Sequence, residues 1–110
     1  MKKIFAAFAA ALLLAPAAQA ADAAKGKTAY MANGCWQCHG TQGQGSIAGL
    51  KLAPDPMPQE TFIGFVRSTN RAMPPYREAV LPNADLEDIY AYLQSIPKAA
   101  DPKTIPLLGQ

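Results

Sequence analysis

Taken by its apolar and polar positions alone, the chain divides into a leading apolar run, three segments that read as helices, and two aperiodic stretches between them. The clearest helix is the last. Leu86, Ile89, Tyr90, Leu93 and Ile96 recur at three-to-four spacing and share one face. Asp85, Glu87 and Asp88 stand at its positive end, Asn83 is placed to cap it, and Pro97 stops it. Upstream, Phe62, Phe65, Val66 and Thr69 form a second stripe, which predicts a helix from Gln59 to about Thr69 with that stripe in the core. A third helix, from Asp22 to about Asn33, is read from its content of Ala23, Ala24, Lys25, Lys27, Ala29 and Met31. Within it Gly26 and Tyr30 lie four apart and share a face, where a glycine costs helicity but lets a second helix approach closely. Asn33-Gly34 ends this helix.

The leading run changes the picture of the whole. Lys2 and Lys3 precede an apolar stretch from Ile4 to Leu14, and Ala18-Gln19-Ala20 supplies the small residues of a cleavage site, so residues 1–20 read as a secretory signal peptide cut after Ala20. The apolar run is shorter than the roughly 17 to 25 residues a spanning helix needs, so no membrane span is expected after cleavage. The formal net charge of +2 then disappears with Lys2 and Lys3, leaving eight basic and eight acidic side chains. A near-neutral chain lacks the basic face of a nucleic-acid binder. What remains is one small domain, which buries only roughly 60 to 70% of its unfolded surface and needs a staple. Two cysteines allow at most one disulfide.

The cysteines point to another kind of staple. In Cys35-Trp36-Gln37-Cys38-His39, two cysteines three positions apart are followed at once by the chain's lone histidine, which is the spacing that attaches a c-type haem. Coiled as a helical turn, the segment brings both sulfurs to one side, where they can form thioethers with the porphyrin vinyl groups. His39 then offers an imidazole nitrogen to the iron. A redox dithiol also uses this spacing, but it would leave His39 unexplained and would need a strand and helix alternation that is missing. Zinc fails for want of a fourth ligand, and because adjacent Cys38 and His39 point apart.

The aperiodic stretches are read with that cofactor in place. Gly40 to Ser46 is glycine-dense without the spacing or lysine of a phosphate loop, so it is turn chemistry at the haem edge, and Ile47, Leu50 and Leu52 are expected to pack toward the porphyrin. Pro54, Pro56 and Pro58 enforce an extended path. Met73-Pro74-Pro75-Tyr76 cannot be helix interior. A methionine on such a rigid loop is well placed to aim a thioether at iron, and a whole helix separates it from His39 to carry the chain across the haem. Met57, within the proline zigzag, is the competitor; Met73 is preferred because a ligand needs rigid support. Arg67 and Arg71 share a face of the middle helix and read as solvated charges, with haem propionates or a partner's acidic patch as the other use.

This combination of a leader, the Cys35 to His39 motif, a glycine-rich loop, Met73-Pro74-Pro75-Tyr76 and a terminal amphipathic helix with tyrosines resembles the class I cytochromes c over nearly all of the chain after residue 20. The resemblance implies an all-α fold of three to four helices around one covalently bound haem c, with the first and last helices crossing at right angles around Gly26, Tyr30, Tyr90 and Leu93. It implies thioethers at Cys35 and Cys38, axial ligands His39 and Met73, and a domain spanning 21–97 followed by a proline-containing tail, 98–110. The family usually places a glycine-proline pair after the haem loop, whose proline carbonyl accepts the proximal histidine's ring N–H. Here Gly49 is followed by Leu50, whose carbonyl can accept the same bond.

With both axial positions filled, the haem has no open site for substrate, so the expectation is an electron carrier and not an enzyme in itself. A haem enzyme or ligand sensor requires Met73 not to bind. The short arrangement looks like the small cytochromes that serve as subunits or partners of periplasmic flavin or molybdenum dehydrogenases. The expected partners are thus a periplasmic dehydrogenase as electron donor and a redox acceptor, with a freely diffusing shuttle to a terminal oxidase as the alternative.

Overall fold

The computed structural model describes residues 19–108, so most of the expected signal peptide lies outside the described residues. The chain forms α1 (Ala23–Ala32), α2 (Cys35–His39), α3 (Gln59–Ser68) and α4 (Asn83–Ser95), followed by a single 3-10 turn at Pro102–Thr104. Among the described residues there is no strand, only an isolated bridge between Ser46 and Gly49. The fold is all-α, as the sequence predicts.

The first helix begins where Asp22 turns its carboxylate back to accept the amides of Ala24 at 2.8 Å and Lys25 at 3.0 Å. Those bonds, the Lys25 amide foremost, hold the Asp22 carboxyl below its ordinary range. The helix is only weakly amphipathic, and what seats it is a close approach to α4. A Cβ built on Gly26 would lie 1.8 Å from the Asp88 carbonyl oxygen and 2.8 Å from the Ile89 amide nitrogen, so no other residue fits that crossing. One helical turn on, Tyr30 is fully buried and meets Tyr92 edge-on with ring centroids 5.5 Å apart. Leu86, Ile89 and Leu93 close the same interface. Phe62 and Val66 of α3 add the next layer, Phe62 lying 5.6 Å from the Tyr90 ring, and Leu81 completes it from the loop before α4.

The predicted boundaries need only small changes, with one correction of role. Asn83 does not cap α4: Pro82 occupies the cap position with no side-chain bond, and Asn83 is the first helical residue. Its side chain is engaged elsewhere, as described below. Phe65 is exposed at the surface of α3 instead of joining Phe62, Val66 and Thr69 in the core. The tail lies open, its Leu107 and Leu108 exposed, with a surface ion pair between Lys98 and Asp55 at 3.2 Å near its start.

Candidate functional site

The short helix α2 is set off by glycines with left-handed φ on both sides, Gly34 at 75° and Gly40 at 78°, which is how five residues can coil between two sharp turns. Cys35 and Cys38 are free thiols, and both line the same cavity, as does His39. Cys35 is half-buried and burial pushes its thiol up to about 11, whereas Cys38 is exposed.

The loop after α2 folds back onto it. His39 Nδ1 stands 2.6 Å from the Leu50 carbonyl oxygen. A carbonyl only accepts, so Nδ1 carries the proton and Nε2 keeps its lone pair for a metal. Leu50 therefore makes the bond that the family assigns to a proline. Gly45 N–H donates to the His39 carbonyl at 2.8 Å and Ser46 Oγ donates to the Cys38 carbonyl at 2.6 Å. Gly49 permits this closeness, since a Cβ there would lie 2.6 Å from the Cys38 carbonyl oxygen and 3.0 Å from His39 Nδ1. Ile47 is a correction to the sequence reading. It sits at the tip of the turn, fully exposed, because the Ser46–Gly49 bridge directs the tip away from the cavity. Leu50 and Leu52 do line the cavity, although the Leu50 side chain is also largely exposed.

The cavity, about 260 Å³, has His39 and both cysteines on its wall together with Met57 and Met73 and the apolar side chains of Phe62, Phe65 and Val66. Phe65, exposed by accessibility, is thus a lining residue. Met73 is half-buried and packs on the core, while Met57 is exposed. The loop that carries Met73 is pinned at Tyr76 on three sides. Tyr76 N–H donates to the Val66 carbonyl at 3.0 Å, its hydroxyl donates to the Asn33 carbonyl at 2.7 Å, and its own carbonyl accepts Arg67 Nη1 at 2.9 Å. Arg67 Nη2 reaches Asn83 Oδ1 at 2.5 Å, and Asn83 Nδ2 donates to Glu78 at 3.2 Å. The reading of Arg67 as a free surface charge is corrected accordingly: the half-buried guanidinium is bonded within the chain.

All four tyrosines of the chain use their hydroxyls in one way, each donating to a backbone carbonyl. Tyr30 donates to the Gly40 carbonyl at 2.7 Å, Tyr92 to Thr41 at 2.7 Å, Tyr90 to Met57 at 2.9 Å and Tyr76 to Asn33. Each hydroxyl thereby fixes a backbone carbonyl outside its own element, two of them at the cavity-lining residues Asn33 and Met57, and burial raises the phenols of Tyr30, Tyr76 and Tyr92. Tyr92 was absent from the predicted apolar face, and no signal in the sequence announces Thr41 as its acceptor.

The donor set fits a covalently held haem. Two thiols and an imidazole with a free nitrogen share a wall, thioethers line the same space, and the surroundings are apolar. Among the described residues no buried side-chain nitrogen or oxygen lacks a partner, so the protein has satisfied its own polar groups and the site asks for an apolar plate. A family model described as cytochrome c oxidase, cbb3-type, subunit III matches residues 21–93. No curated protein and no solved structure matches the chain at a significant level.

Proposed function

We propose that this chain, which belongs to the cbb3-type cytochrome c oxidase subunit III family and is a class I c-type cytochrome with covalently bound haem c, holds one haem through Cys35, Cys38, His39 and Met73 and takes single electrons from a periplasmic dehydrogenase. The family establishes the haem electron carrier; the residues, the stoichiometry, the compartment and the donor are the proposal. One observation supports it above the others: His39, with its Nδ1 proton committed to Leu50, and both cysteines line the same cavity as Met73.

The haem supplies a one-electron iron couple when bound. The chain's own residues do the rest. Cys35 and Cys38 would fix the plate by thioethers, and the His39–Leu50 bond orients the imidazole and makes it a better donor. Met73, a soft thioether, favours the reduced metal. Phe62, Val66 and Leu86 line the cavity and would exclude water from a bound haem. Met73 is preferred to Met57 because its side chain packs on the core and its loop is pinned at Tyr76.

Residues 1–20 are proposed as a cleaved signal peptide, which places the 21–97 domain and its 98–110 tail in the periplasm. Among the described residues no helix is long and apolar enough to cross a membrane. With basic and acidic side chains balanced after residue 20, docking on the donor would rest on exposed apolar groups, Leu50 and Met57 at the cavity and Trp36 between the two cysteines.

An absorption spectrum of the exported protein tests the ligation. Haem should survive acid-acetone extraction, and the oxidised protein should show a methionine-to-iron charge-transfer band that Met73→Ala removes and Met57→Ala retains. The reverse pattern would transfer the ligand role to Met57. For the donor, the electron-transfer rate should change little between low and physiological salt and should fall more with Ala48→Glu, in the exposed turn between Ser46 and Gly49, than with Arg71→Ala and Arg77→Ala together, both exposed residues after α3. A steep salt dependence abolished by the double arginine variant would instead indicate a freely diffusing, electrostatically steered shuttle.

A further inference from the structure

We propose that Arg67 is a positioning residue for the Met73 thioether, acting as a bracket that joins α3, the ligand loop and the first turn of α4 through the carbonyl of Tyr76 and the side chain of Asn83. The inference rests on the reading of Met73 as the axial ligand.

The need for such a bracket follows from the prolines. Pro74 and Pro75 have no N–H, so the loop cannot fasten itself there with its own amides. Tyr76 is the first residue after them able to do so, and its amide, hydroxyl and carbonyl are all engaged, the carbonyl by Arg67. The two prolines also fix φ near −65°, so the offset between Tyr76 and Met73 is stiff and a displacement at Tyr76 passes on to the thioether. Arg67 suits the task because its planar fork offers two separate donors: Nη1 takes the loop and Nη2 takes Asn83 at the start of α4. Asn83 is held in turn by Glu78, so the guanidinium is anchored on the far side by a residue of the loop itself. Both Arg67 acceptors are neutral oxygens, which keeps the charge from being drawn away into a direct carboxylate pair. Arg71 lies past the end of α3 and so does not share a helix face with Arg67 as the sequence reading expects; it is exposed and serves as the natural control for loss of the same charge.

The test uses the holoprotein in a Met57→Leu background, so that the second thioether at the cavity cannot substitute. Two quantities are read on the oxidised protein: the pH midpoint at which the methionine charge-transfer band is lost, and the rate at which added imidazole displaces the methionine. Arg67→Ala should lower the midpoint by about one to two pH units and raise the displacement rate about tenfold or more, as expected for loss of a charge-assisted bond. Arg67→Lys, with one donor group in place of a fork, should recover part of the shift. Asn83→Ala, which removes only the outer anchor, should move both quantities the same way by a smaller amount. Arg71→Ala should leave them where they are.

An unchanged midpoint and rate in Arg67→Ala overturn the bracket, and so does an equal shift in Arg71→Ala, which would assign the effect to charge alone. If Arg67→Ala does not fold, Asn83→Ala decides, and its equivalence to the parent overturns the proposal. Met73→Ala separates this failure from that of the underlying reading. If the band persists in Met73→Ala, the ligand assignment itself falls and the bracket with it.

Discussion

The two walls of the cavity are held by different means. On the histidine side, the bonds that touch His39 and Cys38 themselves run between near neighbours in sequence, Leu50 to His39 spanning 11 positions and Ser46 to Cys38 spanning 8, and a glycine at 49 lets backbone lie on backbone, with one long tie beyond them from Tyr92 to Thr41. On the methionine side, the loop is aperiodic and is fastened by long side chains from elsewhere, Tyr76 to Asn33 across 43 positions and Arg67 to Asn83 across 16. A ligand held by local turn geometry is hard to detach without destroying the turn. A ligand held by a few distant side chains can be loosened one bond at a time, which would make the methionine side the place where the proposed ligation is adjustable.

The contrast can be broken or sharpened by substitution. Gly26→Ala should affect both walls together, because the added carbon overlaps the α4 backbone at the crossing on which both depend. A loss of about 3 kcal/mol or more is expected, read by denaturant unfolding. Gly49→Ala should strike the histidine side alone at a cost of about 2 kcal/mol. It should weaken the His39 ring bond to Leu50, visible as a shift of the Nδ1 proton resonance, with the Met73 band retained. Tyr76→Phe should act on the methionine side, costing about 1 to 2 kcal/mol for an Asn33 carbonyl left without its donor, with the His39 resonance unmoved. If Gly49→Ala and Tyr76→Phe disturb both walls equally, the separation of the two is refuted.

Alkaline pH probes both walls at once. The buried phenols of Tyr30, Tyr76 and Tyr92 titrate above the usual value near 10.0, so the folded state favours their neutral form. Their contribution is fully present below about 10, the pH at which the unfolded phenols ionise, and is lost as pH rises toward the folded values. Denaturation midpoints should fall as pH rises beyond about 10, and Tyr30→Phe should flatten that fall. The smallest effect is a control remote from either wall. Gly64 has open space where a side chain would go, so Gly64→Ala should stabilise α3 by about 0.5 to 1 kcal/mol with no change at His39 or Met73.

The same division explains what could be read from the sequence. The cysteine and histidine motif, the helix-ending Asn33-Gly34 and the apolar face from Leu86 to Leu93 are local signals, and the structure places them as read. The Leu50 carbonyl was accessible too, because its partner lies a short loop away. Ile47 was misjudged because an apolar residue in a turn gives no sign of which way the tip points until the Ser46–Gly49 bridge is known. Asn83 and Arg67 differ from their sequence reading for a deeper reason. Each has a plausible local role, a cap and a solvated charge, and only the approach of α3 to the start of α4 offers them each other. The tyrosines show the same limit: the burial of Tyr90 follows from periodicity, but that of Tyr92 does not, and the carbonyl each hydroxyl finds is set by the packing of distant segments.

The Gly26 crossing also sets an order of events. It joins the first helix to the last, so a chain emerging from its amino end cannot form this clasp until Asp88 and Ile89 have followed, and the intervening loop closes at an entropic cost that only the completed interface offsets. Until then the segment from Cys35 to His39 has no wall to pack on, and neither thiol is covered by α4 or the loops. Once the clasp forms, Cys35 is half-buried and only Cys38 remains exposed. Placing the cysteines near the beginning and the clasp's second half near the end would thus give the proposed thioether formation an interval, between the appearance of the thiols and the closing of the fold, that the topology itself provides.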